Sequence, residues 1–196
     1  MYKISYVFLC LVLLIQSCGQ VSPKKEIYNK EFNWTITIPE NFDTVSAEQW
    51  AKIQNRGVDA IEKTYDAKIQ NNTKTIFVFK NGQLNYFESN YQPFDSSTDG
   101  NYLESCKKVN EQLYKTFVTQ IPNVRLDTST STQIIDHLVF QTSKIIVTYP
   151  NKMVMNVLMY SRLFDTREFS VNIMYIDSVK GHSMLKSWEN SRFSKK

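Results

Sequence analysis

Residues 138–176 read LVFQTSKIIVTYPNKMVMNVLMYSRLFDTREFSVNIMYI, and this stretch decides the fold. Three apolar-rich runs, Leu138–Tyr149, Met153–Phe164 and Glu168–Ile176, are joined by the polar breaks Pro150-Asn151-Lys152 and Asp165-Thr166-Arg167. In the last run Phe169, Val171, Ile173 and Tyr175 alternate with Ser170, Asn172, Met174 and Ile176, the period of two that a strand requires. Breaks this short join antiparallel neighbours, since a parallel pair needs a crossover of about a dozen residues or more. Alternation sends Met155, Val157 and Met159 to one face and Val154, Leu158, Tyr160 and Phe164 to the other. A sheet that is apolar on both sides has to be covered on both sides.

Outward from this meander the signals alternate between strand and helix. Phe32, Trp34, Ile36 and Ile38 alternate with Asn33, Thr35 and Thr37, which predicts a first strand ended by Pro39. Ser46 followed by Gln49 is a capping box, with Val45 and Trp50 as its hydrophobic staple. Trp50, Ile53, Val58 and Ile61 then mark a helix reaching to about Thr64. Asn81-Gly82 predicts a two-residue hairpin turn between Thr73–Lys80 and Gln83–Asn90, pairing Phe79 with Leu84 and Phe77 with Tyr86. After a polar loop, Leu103, Cys106, Val109, Leu113 and Phe117 form a second helical stripe that stops before Pro122. Val124–Thr132 is a polar edge strand, and Asp177 or Ser178 caps a last helix with Met184, Leu185 and Trp188 inward. The architecture that satisfies this order is α+β: a three-layer α/β/α sandwich around a mainly antiparallel sheet.

A chain of 196 residues holds one domain with a substantial core. Charged residues make up 21% and aromatics 13%, which excludes a mostly disordered chain. The net charge is +4, and its lysine pairs form no stripe, which argues against a nucleic-acid partner. Of the three cysteines, Cys10 and Cys18 lie in or at the end of an N-terminal leader. Cys106 is alone in the body and falls on an amphipathic stripe, so it is expected to be a buried, inert thiol.

Lys3 followed by the ten apolar-rich residues Tyr6–Ile15 is a secretory signal, too short for a membrane span of ~20 residues. The end of the leader, Leu14-Ile15-Gln16-Ser17-Cys18-Gly19, resembles the lipobox of bacterial lipoproteins, with Ile15, Ser17 and Cys18 matching and Gln16 departing from the usual pattern. The resemblance implies a signal peptide at 1–17, acylation of Cys18, a lipidated tether over 18–30 and a single domain over 31–193. Several acyl chains on one terminal cysteine anchor stably where a single chain does not. Gly19, rather than an acidic residue, implies the outer membrane by the same resemblance. The absence of an acidic run after it favours the periplasmic face.

The opening Trp34-Thr35-Ile36-Thr37-Ile38-Pro39-Glu40-Asn41-Phe42, the meander with Tyr175 and Asp177, and the closing Gly181, Leu185 and Ser191-Arg192-Phe193 resemble the PsbP-like family. That family includes the Ran-binding Mog proteins and the bacterial lipoprotein DcrB. The resemblance spans roughly Glu31 to Phe193. It implies a class of proteins that bind or assist other proteins, and it carries over no catalytic residue.

Reactive motifs are missing from the sequence. Only His137 and His182 are available as histidines, and no Gly-x-Ser-x-Gly elbow, His-Glu-x-x-His, Cys-x-x-Cys or glycine-rich phosphate loop occurs. No catalytic residue, cofactor or metal ligand is therefore assigned. The loop Asp95-Ser96-Ser97-Thr98-Asp99-Gly100 places oxygen ligands at alternate positions as calcium loops do, but Cys106 stands where the bidentate acid belongs. An Asx turn ahead of a helix accounts for it. Tyr91 and Phe94, expected outside the regular strand, are candidate contacts for a protein partner. The expectation is a lipid-anchored, non-enzymatic envelope protein that binds a protein partner or assists assembly. The alternatives are a small-ligand or metal-binding lipoprotein, or an immunity-type lipoprotein that blocks a toxin.

Overall fold

A computed structural model describes residues 25–69 and 71–193, so the leader and Cys18 lie outside the described residues. The meander forms as its period demands. Strands β6 (Arg125–Ile135), β7 (Leu138–Thr148), β8 (Val154–Phe164) and β9 (Arg167–Tyr175) pair antiparallel in sequence order. Their turns are tight. Ile135 pairs with Leu138 around Asp136-His137, and Phe164 pairs with Arg167 around Asp165-Thr166. Asp136, His137 and Asp165 take the left-handed backbone that such turns require, with φ of 41°, 62° and 52°.

The other strands extend this block beyond β9. β3 (Asp43–Thr44), β4 (Lys74–Lys80) and β5 (Tyr86–Pro93) complete a seven-stranded sheet in the order β3-β4-β5-β9-β8-β7-β6. Helix α1 (Ala47–Tyr65) starts at Ser46, whose hydroxyl accepts from Gln49 N, as the capping box predicts. Helix α2 (Tyr102–Gln120) is capped by Asn101, whose side chain accepts from the amides of Leu103 and Glu104. Helix α3 (Ser178–Glu189) is capped by Asp177 in the same way. Helices α1 and α2 cover one face of the sheet. On the other lie α3 and a separate hairpin, β1 (Glu26–Asn29) with β2 (Trp34–Thr37). The three-layer arrangement is therefore as expected.

Four local expectations change. Strand β1 falls inside the stretch read as a tether, because Glu26–Asn29 pairs residue for residue with Trp34–Thr37. The predicted first strand is shortened to Trp34–Thr37 and lies in this hairpin. The β4–β5 loop runs from Asn81 to Asn85, so Phe79 faces Phe87 and Phe77 faces Ser89, and the register shifts only beyond them, at a bulge between Thr75 and Phe77. The cause lies far along the chain: buried Asn85 accepts hydrogen bonds from Ile176 N (3.1 Å) and Asp177 N (3.0 Å), which draws it out of the strand. On α2 the predicted stripe is rotated, leaving Leu103 and Val109 exposed while Tyr102, Cys106, Leu113, Thr116 and Phe117 turn inward.

The face under α3 and the hairpin is apolar and aromatic. Trp34, fully buried, stacks on Phe77 at 4.9 Å and meets Phe169 and Trp188 edge-on. Phe79 and Phe87 stack at 4.6 Å beside it. Gly181 lets α3 lie directly on Tyr175, where a Cβ would overlap the ring. The chain end is fastened by Thr35 and Arg192, which exchange backbone hydrogen bonds of 2.7 and 3.0 Å.

Candidate interaction groove beside the open sheet edge

The opposite face of the sheet has a different chemistry, and the strand register shows where. Near the C-terminal end of α2, Ile145, Val147, Met155 and Val157 pack with Leu113, Phe117 and Met174. Four residues along each strand the surface becomes polar, since Thr132, Gln141, Ser161, Ser170 and Asn90 stand side by side across five strands. Between these zones sits Glu88, a buried carboxylate. It accepts from Trp50 Nε1 (2.8 Å), Gln54 Nε2 (2.9 Å) and Asn172 Nδ2 (3.0 Å), which ties α1 to the sheet.

A second polar cluster lies under the start of α2. Cys106 Sγ is 3.7 Å from Ser161 Oγ, and Gln92 Nε2 donates to Glu168 Oε2 at 2.7 Å. The Tyr102 hydroxyl points among Ser161, Cys106 and Glu168 yet closes no hydrogen bond of normal geometry with them. Burial raises the pKa of all three acids, Tyr102, Cys106 and Glu168, favouring their uncharged forms. Cys106 is thus favoured as a thiol, although it is half-buried where a buried residue was expected.

Helix α2 meets the last strand at Leu126, which packs in the same cluster as Leu113 and Phe117, and further along the two diverge. Between them runs a groove of about 240 Å³, walled by Asn110, Glu111 and Tyr114 and floored by Thr128, Thr130, Ser143 and Ile145. Tyr114 is 47% exposed at its lip. On the same face of the sheet Ile134 pairs with Val139, and these apolar side chains are 69% and 45% exposed. Ile134, Val139 and Tyr114 were not singled out from sequence. The available signal was the edge strand itself, since an apolar residue at the end of a solvent-facing hydroxyl run has no core to enter. A larger depression at the end of α1, lined by Glu62, Lys63 and Lys68, is a solvated ion-pair surface in which Lys68 meets Glu62 at 2.8 Å.

The sequence-predicted candidates fall elsewhere. Phe94 is buried at 6% exposure, with its ring edge-on to Tyr102 at 5.4 Å, so it is core and not a surface anchor. Tyr91 lies inside β5 and not beyond it, half-buried against Phe32 at 5.5 Å. The correction has one cause. Pairing of β5 with β9 continues to Pro93, and the chain then folds beneath α2. His137 occupies the β6–β7 turn, while His182 is exposed on α3. In the loop before α2, Asp95 accepts from Ser97 N and Oγ, and Asp99 accepts from Asp95 N at 2.7 Å. These are Asx-type contacts, in which both carboxylates serve the loop's own amides.

Among solved structures, the chain is similar to the solution structure of cyanobacterial PsbP (CyanoP) from Synechocystis sp. PCC 6803. The TM-score is 0.55 at 11% identity, covering 92% of this chain and 99% of that one. The fold is PsbP-like. No protein-family model matches the sequence, and no curated protein matches it. The PsbP-like fold positions the groove by topology, because the strand next to α2 on that side is the last of the sheet.

Proposed function

We propose that this chain is a lipid-anchored, non-enzymatic envelope protein that binds a protein partner as an assembly accessory, with the groove between α2 and β6 as its contact surface. The observation that carries this reading is exposed Tyr114 at the lip of a shallow, open trough, with exposed Ile134 and Val139 four residues beyond its floor on the same face of β6 and β7. Aromatic and aliphatic anchors beside a polar floor suit a protein partner. A trough of about 240 Å³ is smaller than the pockets of about 300–1,000 Å³ that enclose small ligands. Anchoring rests on Ile15, Ser17 and Cys18, and the outer membrane's periplasmic face is the proposed address.

A photo-reactive amino acid placed at position 114 in intact cells should crosslink a discrete protein. The same probe at Val179, 75% exposed on the opposite layer, should not. Equal labelling from both positions, or none from 114, would remove the groove as the contact surface. Labelled fatty acid that fails to attach in a Cys18→Ser variant, and does attach in the parent, tests the anchor.

A further inference from the structure

The two edges of the sheet are built differently. β3 is two residues long, which leaves little template for another strand. β6 runs for eleven residues in unbroken register with β7, with no bulge, proline or lysine along it. Its only charges are Arg125 and Asp127 at the start. Natural edges are usually blunted by the devices that β6 lacks.

The turn fixes which backbone groups of β6 are free. A two-residue hairpin loop makes its flanking residues, here Ile135 and Leu138, a doubly hydrogen-bonded pair, and the pattern alternates from there. Residues 125, 127, 129, 131, 133 and 135 therefore bond to β7. Leu126, Thr128, Thr130, Thr132 and Ile134 direct their N–H and C=O groups outward, where the described residues place no other strand.

We infer that β6 pairs antiparallel with β6 of a second copy of this chain, on a two-fold axis through Thr130. Centred there, every outward-facing residue meets an outward-facing residue of the other copy. Leu126 faces Ile134, Thr128 faces Thr132 and Thr130 faces itself, for ~10 hydrogen bonds across the dyad. Moving the centre to Ser129 or Ser131 leaves one outward residue of β6 without a counterpart in the strand. The side chains agree with this register. Exposed Ile134 gains an apolar neighbour in Leu126, whose side chain is on the same face. Asp127 faces Gln133 and Arg125 faces Ile135, so no like charges are opposed. A two-fold axis makes the same patch serve both copies, and the α2 groove of each then opens onto one continuous sheet.

This inference stands apart from the proposed partner. It is tested on the full-length chain in membranes and in detergent, in a Cys106→Ser background. Thr130→Cys should give a disulfide-linked dimer on mild oxidation, because α-carbons facing each other in a hydrogen-bonded pair are ~5.5 Å apart. Gln133→Cys should not, since its two copies would stand ~20 Å apart along the strands. In sedimentation equilibrium the parent should dimerise. Thr130→Pro deletes an outward N–H and leaves the β6–β7 ladder intact, so it should weaken dimerisation at least about tenfold. Thr130→Lys, which opposes two ammonium groups across the dyad, should do the same and serves if the proline variant misfolds. A monomeric parent, equal crosslinking from positions 130 and 133, or dimerisation indifferent to both substitutions overturns the inference. Foreign-protein capture at position 114 by a monomeric chain would overturn it while sparing the proposed function.

Discussion

Replacing Glu88 with alanine should loosen α1 from the sheet, and the structure sets the size of the effect. Trp50 is the one fully buried side chain of that helix, and its indole N–H ends on Glu88. The substitution leaves Trp50 Nε1 and Asn172 Nδ2 without an acceptor, whereas Gln54 lies nearer the surface and turns to water. Each stranded donor costs ~1–3 kcal/mol, so the loss should be about 2–6 kcal/mol. Against a domain stability of ~5–15 kcal/mol this is a large fraction. For a domain of this size the melting temperature should fall by ~2–4 °C per kcal/mol. Glu88→Gln keeps an oxygen for Trp50, and Asn172 can flip its amide to meet the new one, so that variant should lose less than ~1.5 kcal/mol. Urea unfolding followed by tryptophan fluorescence measures both. A double-mutant cycle with Trp50→Phe then isolates the pair, and a coupling of at least ~1 kcal/mol is expected. A Glu88→Ala loss below ~1 kcal/mol, or additivity within ~0.5 kcal/mol, would mean that this carboxylate does not hold the helix in place.

Three further outcomes follow from other contacts. Gly181→Ala should lower stability by ~1–3 kcal/mol in the same unfolding assay, because its Cβ meets the Tyr175 ring and α3 or the ring has to move. Glu168 has a carboxyl pKa raised chiefly by burial, with its bond from Gln92 opposing the shift. Its protonated form is the one the fold favours, so its stabilising contribution is complete below the ordinary Glu range and is lost as pH rises through the higher folded-state value. Glu168→Gln should therefore compare more favourably with the parent at pH 7 than at pH 4, and the opposite trend in urea midpoints would contradict this. Cys106, held as a thiol by burial beside Ser161, should react with a disulfide reagent at pH 8 at least about tenfold more slowly in the native protein than in urea.

Much of this fold was legible because its signals are local. The alternation in β7, β8 and β9, the caps at Ser46 and Asp177, and the inward Met184 and Trp188 depend on neighbours within about four positions. The hairpin turn was misplaced for the complementary reason. Asn81-Gly82 is a strong turn signal, but Asn85 is claimed by backbone amides 91 and 92 positions away, and those bonds lengthen the loop. Phe94 shows the same limit, since an aromatic side chain after a strand becomes core or surface according to whether a helix returns over it.

The order of elements, the antiparallel meander and the need to cover both faces were determined by sequence alone, because backbone period and turn chemistry act over a few residues. Tertiary structure decided that one face is aromatic while the other carries a polar band from Asn90 to Thr132. It also placed Glu88 beneath Trp50 and left β6 without a neighbour. A polar residue in a strand looks solvent-facing until a helix from elsewhere in the chain lies across it, and an edge is open only once every other strand has been placed.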